Sequence, residues 1–195
     1  MSTRTRPLIR LVVGSVRPVR VGDQIAEVLA PVIAEAADAE VEIVDLADLA
    51  LPLLDEPRMP ALGDYAQEHT KAWAATVSGA DGIVLLSPQY NGGYPASVKN
   101  AIDYLYAEWK DKPIEIVTYG GHGGGLAAKQ LRDVLAFIGA DLGENDAAIT
   151  LAREAYGPDW RLADPAAAVA DGLDEVRAGA RALGERVRGR ELVYS

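Results

Sequence analysis

Apolar runs recur at intervals along the chain, and amphipathic segments lie between them. Continuous apolar character, instead of alternation, is typical of strands that are buried on both faces of a parallel sheet. The intervening segments carry helix signals, such as an N-cap at Asp164 followed by Pro165. The pattern predicts strands at 8–13, 41–46, 82–87, 114–119 and 147–151, and helices at about 22–37, 64–78, 96–109, 123–138 and 165–188.

Five alternating units of strand and helix predict one doubly wound α/β domain over residues 1–195, with a five-stranded parallel sheet in a three-layer α/β/α arrangement. The longest irregular stretch is 47–63, where Pro52, Pro57 and Pro60 disfavour regular structure. In such sheets a ligand binds beyond the carboxyl ends of the strands. We therefore expect functional residues in the loops after the first, third and fourth strands.

The loop after the first strand, residues 14–22, reads Gly-Ser-Val-Arg-Pro-Val-Arg-Val-Gly and precedes a helix. Free backbone N–H groups at a helix N-terminus attract anions. Ser15, Arg17 and Arg20 add a hydroxyl and two guanidinium groups that suit phosphate oxygens. Neither the Gly-x-Gly-x-x-Gly fingerprint nor a Walker A motif is present. The loop predicts a site for one terminal phosphate, with an ordinary strand-to-helix turn bearing surface arginines as the alternative.

The loop after the third strand, residues 87–95, has an Asn-Gly-Gly turn between two prolines. Such a backbone follows a fixed, irregular path. It can present N–H and C=O groups to the edge of a planar heterocycle, with Tyr90 near the face of that ring. The alternative is a rigid turn that only begins a helix.

The loop after the fourth strand has five glycines within residues 120–125. Ordering them costs conformational entropy, which favours a close approach of the backbone to a ligand; a mobile loop is the alternative. His122 lies in this loop and can hydrogen-bond a ligand, although a surface or structural role fits it equally well. His69 falls in a predicted amphipathic helix, and we assign it a structural role.

The composition narrows the chemistry that the chain can perform. Its 195 residues include two histidines and no cysteine. The absence of cysteine excludes thiolate nucleophiles, disulfides, iron–sulfur clusters and cysteine-ligated zinc. Because the usual catalytic side chains are scarce, an enzyme of this composition needs a cofactor as its reactive group. We expect no metal and no catalytic side chain.

Charge is distributed unevenly along the chain. There are 19 basic and 29 acidic side chains, a net charge of −10, yet residues 1–22 contain five arginines and no acid. A basic pole on an acidic protein suits a small anionic ligand better than nucleic acid. No stretch reaches the ~20 apolar residues of a membrane span, and no signal peptide is recognisable. We therefore expect no nucleic acid and no membrane as partners, and a cytoplasmic location.

Two aromatic features lie outside these loops. In the predicted helix 96–109, Tyr104 falls nearly opposite the apolar stripe, which suggests an interface between subunits; a single exposed tyrosine is the common alternative. The segment Tyr156-Gly-Pro-Asp-Trp160 is interpreted as a surface turn, with a cap on a neighbouring active site as the alternative.

Together these motifs resemble the NADPH-dependent FMN reductase family, a flavodoxin-like group that includes quinone, azo and chromate reductases. The resemblance runs in order and spacing over residues 8 to about 140 and includes Leu-Pro-Leu-Leu-Asp-Glu at 51–56 and Tyr-Gly-Gly-His-Gly-Gly at 119–124. Its most specific stretch is 88–104, Pro-Gln-Tyr-Asn-Gly-Gly-Tyr-Pro-Ala-Ser-Val-Lys-Asn-Ala-Ile-Asp-Tyr. Many members carry Ser and Asn where this chain has Arg20 and Gly22, which implies a different grip on the phosphate.

The resemblance implies an oxidoreductase with FMN as cofactor and NADPH or NADH as reductant, in which flavin N5 and no side chain takes the hydride. The acceptor would be a small molecule: a quinone, an azo compound, a metal oxyanion or free flavin. A homodimer or homotetramer would form through the 96–109 helix. Around FMN the resemblance places Ser15, Arg17, Arg20, Val21 and Gly22 at the phosphate, Pro88, Gln89, Tyr90, Asn91 and Gly92 against the ring, and Tyr119, Gly120, Gly121, His122 and Gly124 along its other edge.

Three other interpretations stay open. A flavodoxin-type electron carrier would bind FMN but have no substrate of its own. A serine hydrolase built on Ser15 would need an aspartate before it and a histidine after His122, and the chain has neither. A phosphate-sensing module of the receiver type would need acidic residues after the first strand, where this chain has arginines.

Overall fold

The computed structural model describes residues 5–144 and 146–194, with side chains up to residue 190. The strands are β1 (Leu8–Val13), β2 (Glu40–Asp45), β3 (Gly82–Pro88), β4 (Pro113–Gly120), β5 (Asp141–Leu142) and β6 (Ala147–Thr150). The α-helices are α1 (Gly22–Ala37), α2 (Leu46–Leu49), α3 (Glu68–Ser78), α4 (Ala96–Asp103), α5 (Gly125–Phe137), α6 (Pro165–Val169) and α7 (Leu173–Tyr194). The five predicted strands and the helix 22–37 agree with these bounds to within one residue at each end.

The strands form one parallel sheet in the order β2-β1-β3-β4-β5, and β6 also pairs with β4. This is the flavodoxin-like, doubly wound order, so the predicted fold class is confirmed. The fifth position of the sheet is split: β5 pairs with Pro113 and Ile114, and β6 pairs with the last four residues of β4. Among the described residues the sheet therefore has six strands, one more than predicted. The sequence pattern misses β5 because that strand is only two residues long.

Alternate residues along each strand face opposite helical layers. In β1, Ile9, Leu11 and Val13 pack in a core with α1, α6 and α7, whereas Val12 packs with α2, α3, α4 and α5 on the other face. Both faces of the sheet are covered, which explains why the strands read as continuous apolar runs. The predicted three-layer arrangement is confirmed.

The segment predicted as irregular, 47–63, contains part of α2 and one short 3₁₀ turn. Its Glu56 carboxylate accepts hydrogen bonds from the N–H groups of Ala66 and Gln67, at 2.8 and 3.0 Å. These bonds hold the chain outside α3, so the helix predicted from residue 64 begins at Glu68 instead.

The helix predicted at 165–188 is divided in two by a 3₁₀ turn at Ala170–Gly172. A Cβ on Gly172 would lie 2.9 Å from Cγ1 of Ile149, so the chain approaches β6 closely at this point. The predicted N-cap is confirmed, because the Asp164 carboxylate accepts from the N–H of Ala167 at 3.0 Å. Among the described residues neither α7 nor any other helix is both long and apolar enough to cross a membrane.

Tyr104 is not on the surface, and its interpretation as an interface aromatic is wrong. Helix α4 ends just before it, whereas a helix was predicted to continue to residue 109. Its hydroxyl donates to the C=O of Pro52 at 3.1 Å and to Oδ1 of Asp55 at 3.0 Å, and the residue is fully buried. His69 Nε2 lies 2.9 Å from the same Asp55 oxygen, in keeping with a structural role for this histidine.

Candidate functional site

A cavity of about 390 Å³ lies at the carboxyl edge of the sheet, where β1, β3 and β4 end. This volume is within the ~300–1,000 Å³ that is typical of small-molecule sites. The three predicted loops meet here because the carboxyl ends of parallel strands share one edge. The lining residues are Ser15, Arg17, Val19, Arg20, Val21, Pro88, Gln89, Tyr90, Tyr119, Gly120, Gly121, Tyr156 and Trp160.

The loop after β1 is held closely against β3 and the loop that follows it. The N–H of Gly14 donates to the C=O of Leu86 at 2.9 Å, and a Cβ on Gly14 would lie 2.5 Å from Cγ2 of Val98. Glycine is therefore required for this close approach. The hydroxyl of Ser15, which is fully buried, lies 2.6 Å from that of Tyr90 and joins the two loops.

The two arginines of the loop after β1 have different partners. Arg20 forms an ion pair with Asp45, and both side chains are largely buried. Asp45 also accepts a hydrogen bond from the N–H of Ala47 at 2.9 Å, so the pair is held at the end of β2. Within the described ranges Arg17 has no ion-pair partner; its guanidinium lies 5.9 Å from the centre of the Tyr90 ring. Arg17 therefore supplies the uncompensated positive charge of the cavity.

Tyr119, near the end of β4, packs against the first turn of α1. A Cβ on Gly22 would lie 2.5 Å from the Tyr119 hydroxyl oxygen, so glycine allows the ring to approach the helix N-terminus. Burial raises the pKa of the Tyr119 hydroxyl well above its ordinary value, and the neighbouring Tyr90 raises it further. The phenol is therefore a neutral hydrogen-bond donor beside the free N–H groups of the first helical turn, an arrangement that favours an anion.

The loop after β3 is a rigid two-residue turn. Tyr90 and Gly93 exchange backbone hydrogen bonds of 2.7 and 3.0 Å. Between them Asn91 and Gly92 have φ angles of 51° and 82°, as in a type I′ turn. The Asn-Gly pair thus fits the left-handed conformation that the turn needs.

Gln89 connects this loop to α5. Its amide oxygen accepts hydrogen bonds from the N–H groups of Leu126, at 3.0 Å, and Ala127, at 3.3 Å. In the opposite direction Gln130 of α5 donates to the C=O of Gly92 at 2.9 Å. Gln89 therefore caps the helix as well as lining the cavity.

The glycine loop after β4 combines open and tightly packed positions. Gly123 and Gly124 have left-handed φ angles of 72° and 88°, and a Cβ on Gly124 would lie 2.8 Å from Cβ of Thr118. The helix predicted from residue 123 therefore begins two residues later, at Gly125. At Gly120 and Gly121, by contrast, a Cβ would meet no atom of the described residues within 4 Å, and both glycines line the cavity.

Some of the residues predicted for the site lie beside the cavity without lining it. They are Gly22, Asn91, Gly92, His122 and Gly124. Asn91 and His122 are exposed, whereas Gly22 and Gly124 are buried where they permit close packing. The ligand contacts assigned to these five residues stay predictions.

The structure adds Val19, Tyr156, Trp160 and the ion-pair partner Asp45 to the site. Asp45 is 25 residues from Arg20, and no local pattern connects the two. The segment 156–160, interpreted as a surface turn, reaches the cavity of its own chain. The sequence feature that could have indicated this position is the pair of aromatic residues on either side of a Gly-Pro-Asp turn.

The residues of the cavity fit a ligand that has a phosphate at one end and a planar ring at the other, as FMN has. At one end lie the charge of Arg17, Val21 at the N-cap of α1, and Nε of Arg20, which is buried with no hydrogen-bond partner among the described residues. At the other end Gly120 and Gly121 leave open space for a ring.

A second cavity of about 920 Å³ lies between β5 and α7. Its central group is Glu115, a residue of β4 that is 4% exposed and whose Oε2 lies 2.8 Å from Nη2 of Arg186. Burial raises the pKa of Glu115 to about 7, although Arg186 opposes this change. None of the sequence motifs falls here, so we assign the function to the smaller cavity.

Known proteins resemble this chain over most of its length. The family model described as NADPH-dependent FMN reductase matches residues 7–152. An NAD(P)H-dependent FMN reductase from Schizosaccharomyces pombe is 43% identical over 181 residues, which cover 92% of this chain and 88% of that protein. A 2-hydroxy-1,4-benzoquinone reductase from Burkholderia sp. is 30% identical over 137 residues, 67% of this chain and 70% of that protein. In fold, the chain resembles FerB from Paracoccus denitrificans, a flavoenzyme described as an NAD(P)H:(acceptor) oxidoreductase. The TM-score is 0.67 and the sequence identity is 24%, and the match covers 94% of this chain and 98% of FerB.

Proposed function

The chain belongs to the NADPH-dependent FMN reductase family, and on that premise we propose that the cavity at the carboxyl edge of the sheet is its FMN site. The resemblance predicted from the motifs is confirmed by the match over residues 7–152. The protein is an NAD(P)H-dependent oxidoreductase with FMN as cofactor.

The charge at the start of α1 is the observation that carries this assignment. Arg17 has no ion-pair partner within residues 5–144 and 146–194, and it lines the same cavity as the buried Ser15 and as Val21, the N-cap of α1. In our proposal Ser15, Arg17 and the stretch 20–22 hold the phosphate. Arg20 acts mainly by shaping the loop, because its charge is shared with Asp45.

The isoalloxazine ring, in this proposal, lies against residues 88–92 and along residues 119–124. The support is the shape of these two loops: one is a rigid turn, and the other leaves open space at Gly120 and Gly121. Gln89 and Gln130 bond the loops to each other through α5. The ring would therefore enter a space whose two walls already have a fixed separation, which lowers the entropic cost of binding.

Bound FMN supplies the electron transfer between NADPH or NADH and a small acceptor. The side chains around it have other tasks. Arg17 compensates the phosphate charge, Ser15 and Tyr119 offer neutral hydroxyl groups, and the turn at Asn91 and Gly92 holds the backbone in place. None of these tasks requires a nucleophile or a general base.

A quinone is the acceptor class that we propose, since the relative from Burkholderia sp. is a benzoquinone reductase and the cavity is of small-molecule size. The homodimer or homotetramer through the 96–109 helix and the cytoplasmic location stay predictions. Because Tyr104 is buried, it no longer supports an interface between subunits at this helix. Tyr106, which is half-exposed, is the aromatic residue of that segment that could still contact a partner.

The test is flavin binding followed by turnover. Purified protein is titrated with FMN, and the oxidation of NADPH and of NADH is then followed with and without 1,4-benzoquinone. We expect tight FMN binding and a rate that depends on the quinone. Binding of FMN without NAD(P)H oxidation would instead indicate a flavodoxin-type electron carrier, and absence of FMN binding would refute the assignment of the site.

A further inference from the structure

Residues 155–163 form a hairpin, which we call the aromatic hairpin, outside the stretch 7–152 that the family model matches. Tyr156 and Leu162 form an antiparallel bridge. The N–H of Ala163 donates to the C=O of Ala155 at 2.9 Å. The hairpin is therefore an ordered element, and its role is not part of what the family match describes.

The aromatic hairpin is bonded to the start of α1, next to the proposed phosphate site. Nη1 of Arg161 donates to the C=O of Arg20 at 2.8 Å and to the carboxylate of Asp23 at 2.9 Å. The Gln24 amide exchanges two hydrogen bonds with the backbone of Leu162, at 3.1 and 3.0 Å. These bonds keep the hairpin in a constant position relative to the arginines of the loop after β1.

Two aromatic rings of the hairpin line the cavity. The ring centres of Tyr156 and Trp160 are 6.5 Å apart. Trp160 is 65% exposed, whereas Trp73 and Trp109 are 1% and 4% exposed in the core. The backbone of Trp160 is also left-handed, with a φ of 61°, which is strained for a bulky residue. A large ring that is held strained and exposed at the rim of a cavity is suited to stack on a planar ligand.

We propose that Trp160, assisted by Tyr156, contacts the flavin ring from within the same chain and slows the release of FMN. This rests on the proposed function, because it takes the cavity to be the FMN site. Arg17 acts on the phosphate and Trp160 on the ring, so the two contributions can be measured separately. By comparison with bases that stack on aromatic side chains, loss of the Trp160 ring weakens flavin binding about ten-fold.

The first experiment compares FMN with riboflavin, which has the ring but no phosphate. Flavin-free wild-type protein and the variants Trp160→Ala, Trp160→Phe and Arg17→Gln are titrated with both flavins. Trp160→Ala loses about ten-fold for each flavin, and Trp160→Phe recovers most of that loss because it keeps a ring. Arg17→Gln weakens FMN binding but leaves riboflavin binding unchanged. Phe137→Ala is the matched control, since Phe137 is an 88% exposed aromatic of α5 that does not line the cavity.

The second experiment uses tryptophan emission to report whether the flavin binds near the aromatic hairpin. Because Trp73 and Trp109 are buried, the long-wavelength part of the emission comes from Trp160. FMN binding quenches that part in the wild-type protein, and the change is absent in Trp160→Phe. The quenching shows that the flavin binds near Trp160, and the affinities of Trp160→Ala and Trp160→Phe for the two flavins then decide whether the ring contributes to binding.

The outcomes separate the inference from the function on which it rests. A wild-type protein that takes up no FMN refutes the proposed site. A wild-type protein that binds FMN, together with a Trp160→Ala variant that binds both flavins as tightly as Phe137→Ala does, overturns the inference alone. Trp160→Gly removes the ring and suits the positive φ, so it replaces the alanine variant if that variant does not fold.

Discussion

The hydroxyl oxygens of Ser15 and Tyr90 lie 2.6 Å apart, across the boundary between the loop after β1 and the loop after β3. One loop carries the arginines of the proposed phosphate site, and the other is proposed to contact the ring. A single hydrogen bond thus couples the two halves of the site, and the Tyr90 ring also lies beneath the guanidinium of Arg17.

Tyr90→Phe keeps the ring and removes only the hydroxyl. We expect the free energy of unfolding to fall by about 1 kcal/mol, because the buried Ser15 hydroxyl loses a partner, and FMN to bind several-fold more weakly. Urea unfolding and FMN titration measure the two effects. Tyr94→Phe is the control, since the Tyr94 hydroxyl makes no hydrogen bond within the part of the chain that the structure describes. Equal behaviour of the two variants would contradict the coupling.

Arg17→Gln removes the uncompensated charge of the site. A charge-assisted hydrogen bond contributes roughly 1.5–3 kcal/mol, so we expect the dissociation constant for FMN to rise at least ten-fold. The salt dependence of binding should also decrease, because one fewer cation faces the phosphate. Isothermal titration at two KCl concentrations measures both quantities. Arg181→Gln makes the same charge change at an exposed site on α7, and an equal loss of affinity in this control would mean that net charge, not Arg17, matters.

Much of the fold could be predicted because the signals are local. Both faces of the sheet are covered, so the strands are continuous apolar runs whose ends are visible in the sequence. The predictions fail where contacts between distant residues determine the local structure. Glu56 holds the chain out of α3, and the 51–56 segment buries Tyr104. Gly172, which packs closely against Ile149, lies where the predicted C-terminal helix is divided.

The site could be predicted in part for the same reason. Parallel topology brings the ends of β1, β3 and β4 together, so the three loops could be placed at one edge. The ion pair of Arg20 with Asp45 and the approach of the aromatic hairpin to α1 depend on tertiary contacts across 25 and 138 residues. No sequence spacing encodes these contacts. They determine which of the two arginines has an ion-pair partner among the described residues, and they bring the aromatic hairpin to the cavity.

Gln89 serves both the helix cap and the cavity, and two substitutions separate these roles. Gln89→Leu removes the oxygen that accepts from Leu126 and Ala127, so we expect a loss of about 1 kcal/mol in the free energy of unfolding. Gln89→Glu keeps an acceptor and adds negative charge at the N-terminus of α5, which is stabilising by about 0.3–1 kcal/mol. The same charge lines the cavity proposed for the ring, where it repels the negatively charged FMN and should weaken binding.

Thermal unfolding and FMN titration of both variants provide the measurement. For Gln89→Glu we expect the free energy of unfolding to rise and the affinity for FMN to fall. A glutamate variant that is less stable than the leucine variant would show that Gln89 is not the cap of α5. One that binds FMN like the wild type would place Gln89 away from the cofactor.

Glu115 is a buried carboxyl whose titration should affect stability. Two glycines surround it: a Cβ on Gly179 would lie 2.8 Å from Oε1, and one on Gly143 would overlap the carboxylate. Burial raises its pKa from 4.5 to about 7 in the folded protein, although the Arg186 guanidinium opposes this. Between these two pKa values the folded state binds more protons than the unfolded state. The contribution of Glu115 to the free energy of unfolding should therefore fall as pH rises from about 4.5 to 7 and be constant above that range.

Glu115→Gln removes this titration and should flatten the pH dependence of stability. Relative to the wild type, the variant becomes more stable as pH rises from 5 to 8, by up to about 3 kcal/mol for a pKa difference of this size. Urea unfolding at one-unit pH steps measures the difference. Glu185→Gln is the control, because it removes the same charge from an exposed position of the same cavity. If the Glu115→Gln and wild-type stabilities change in parallel with pH, Glu115 is ionised throughout, and its ion pair with Arg186 outweighs the effect of burial.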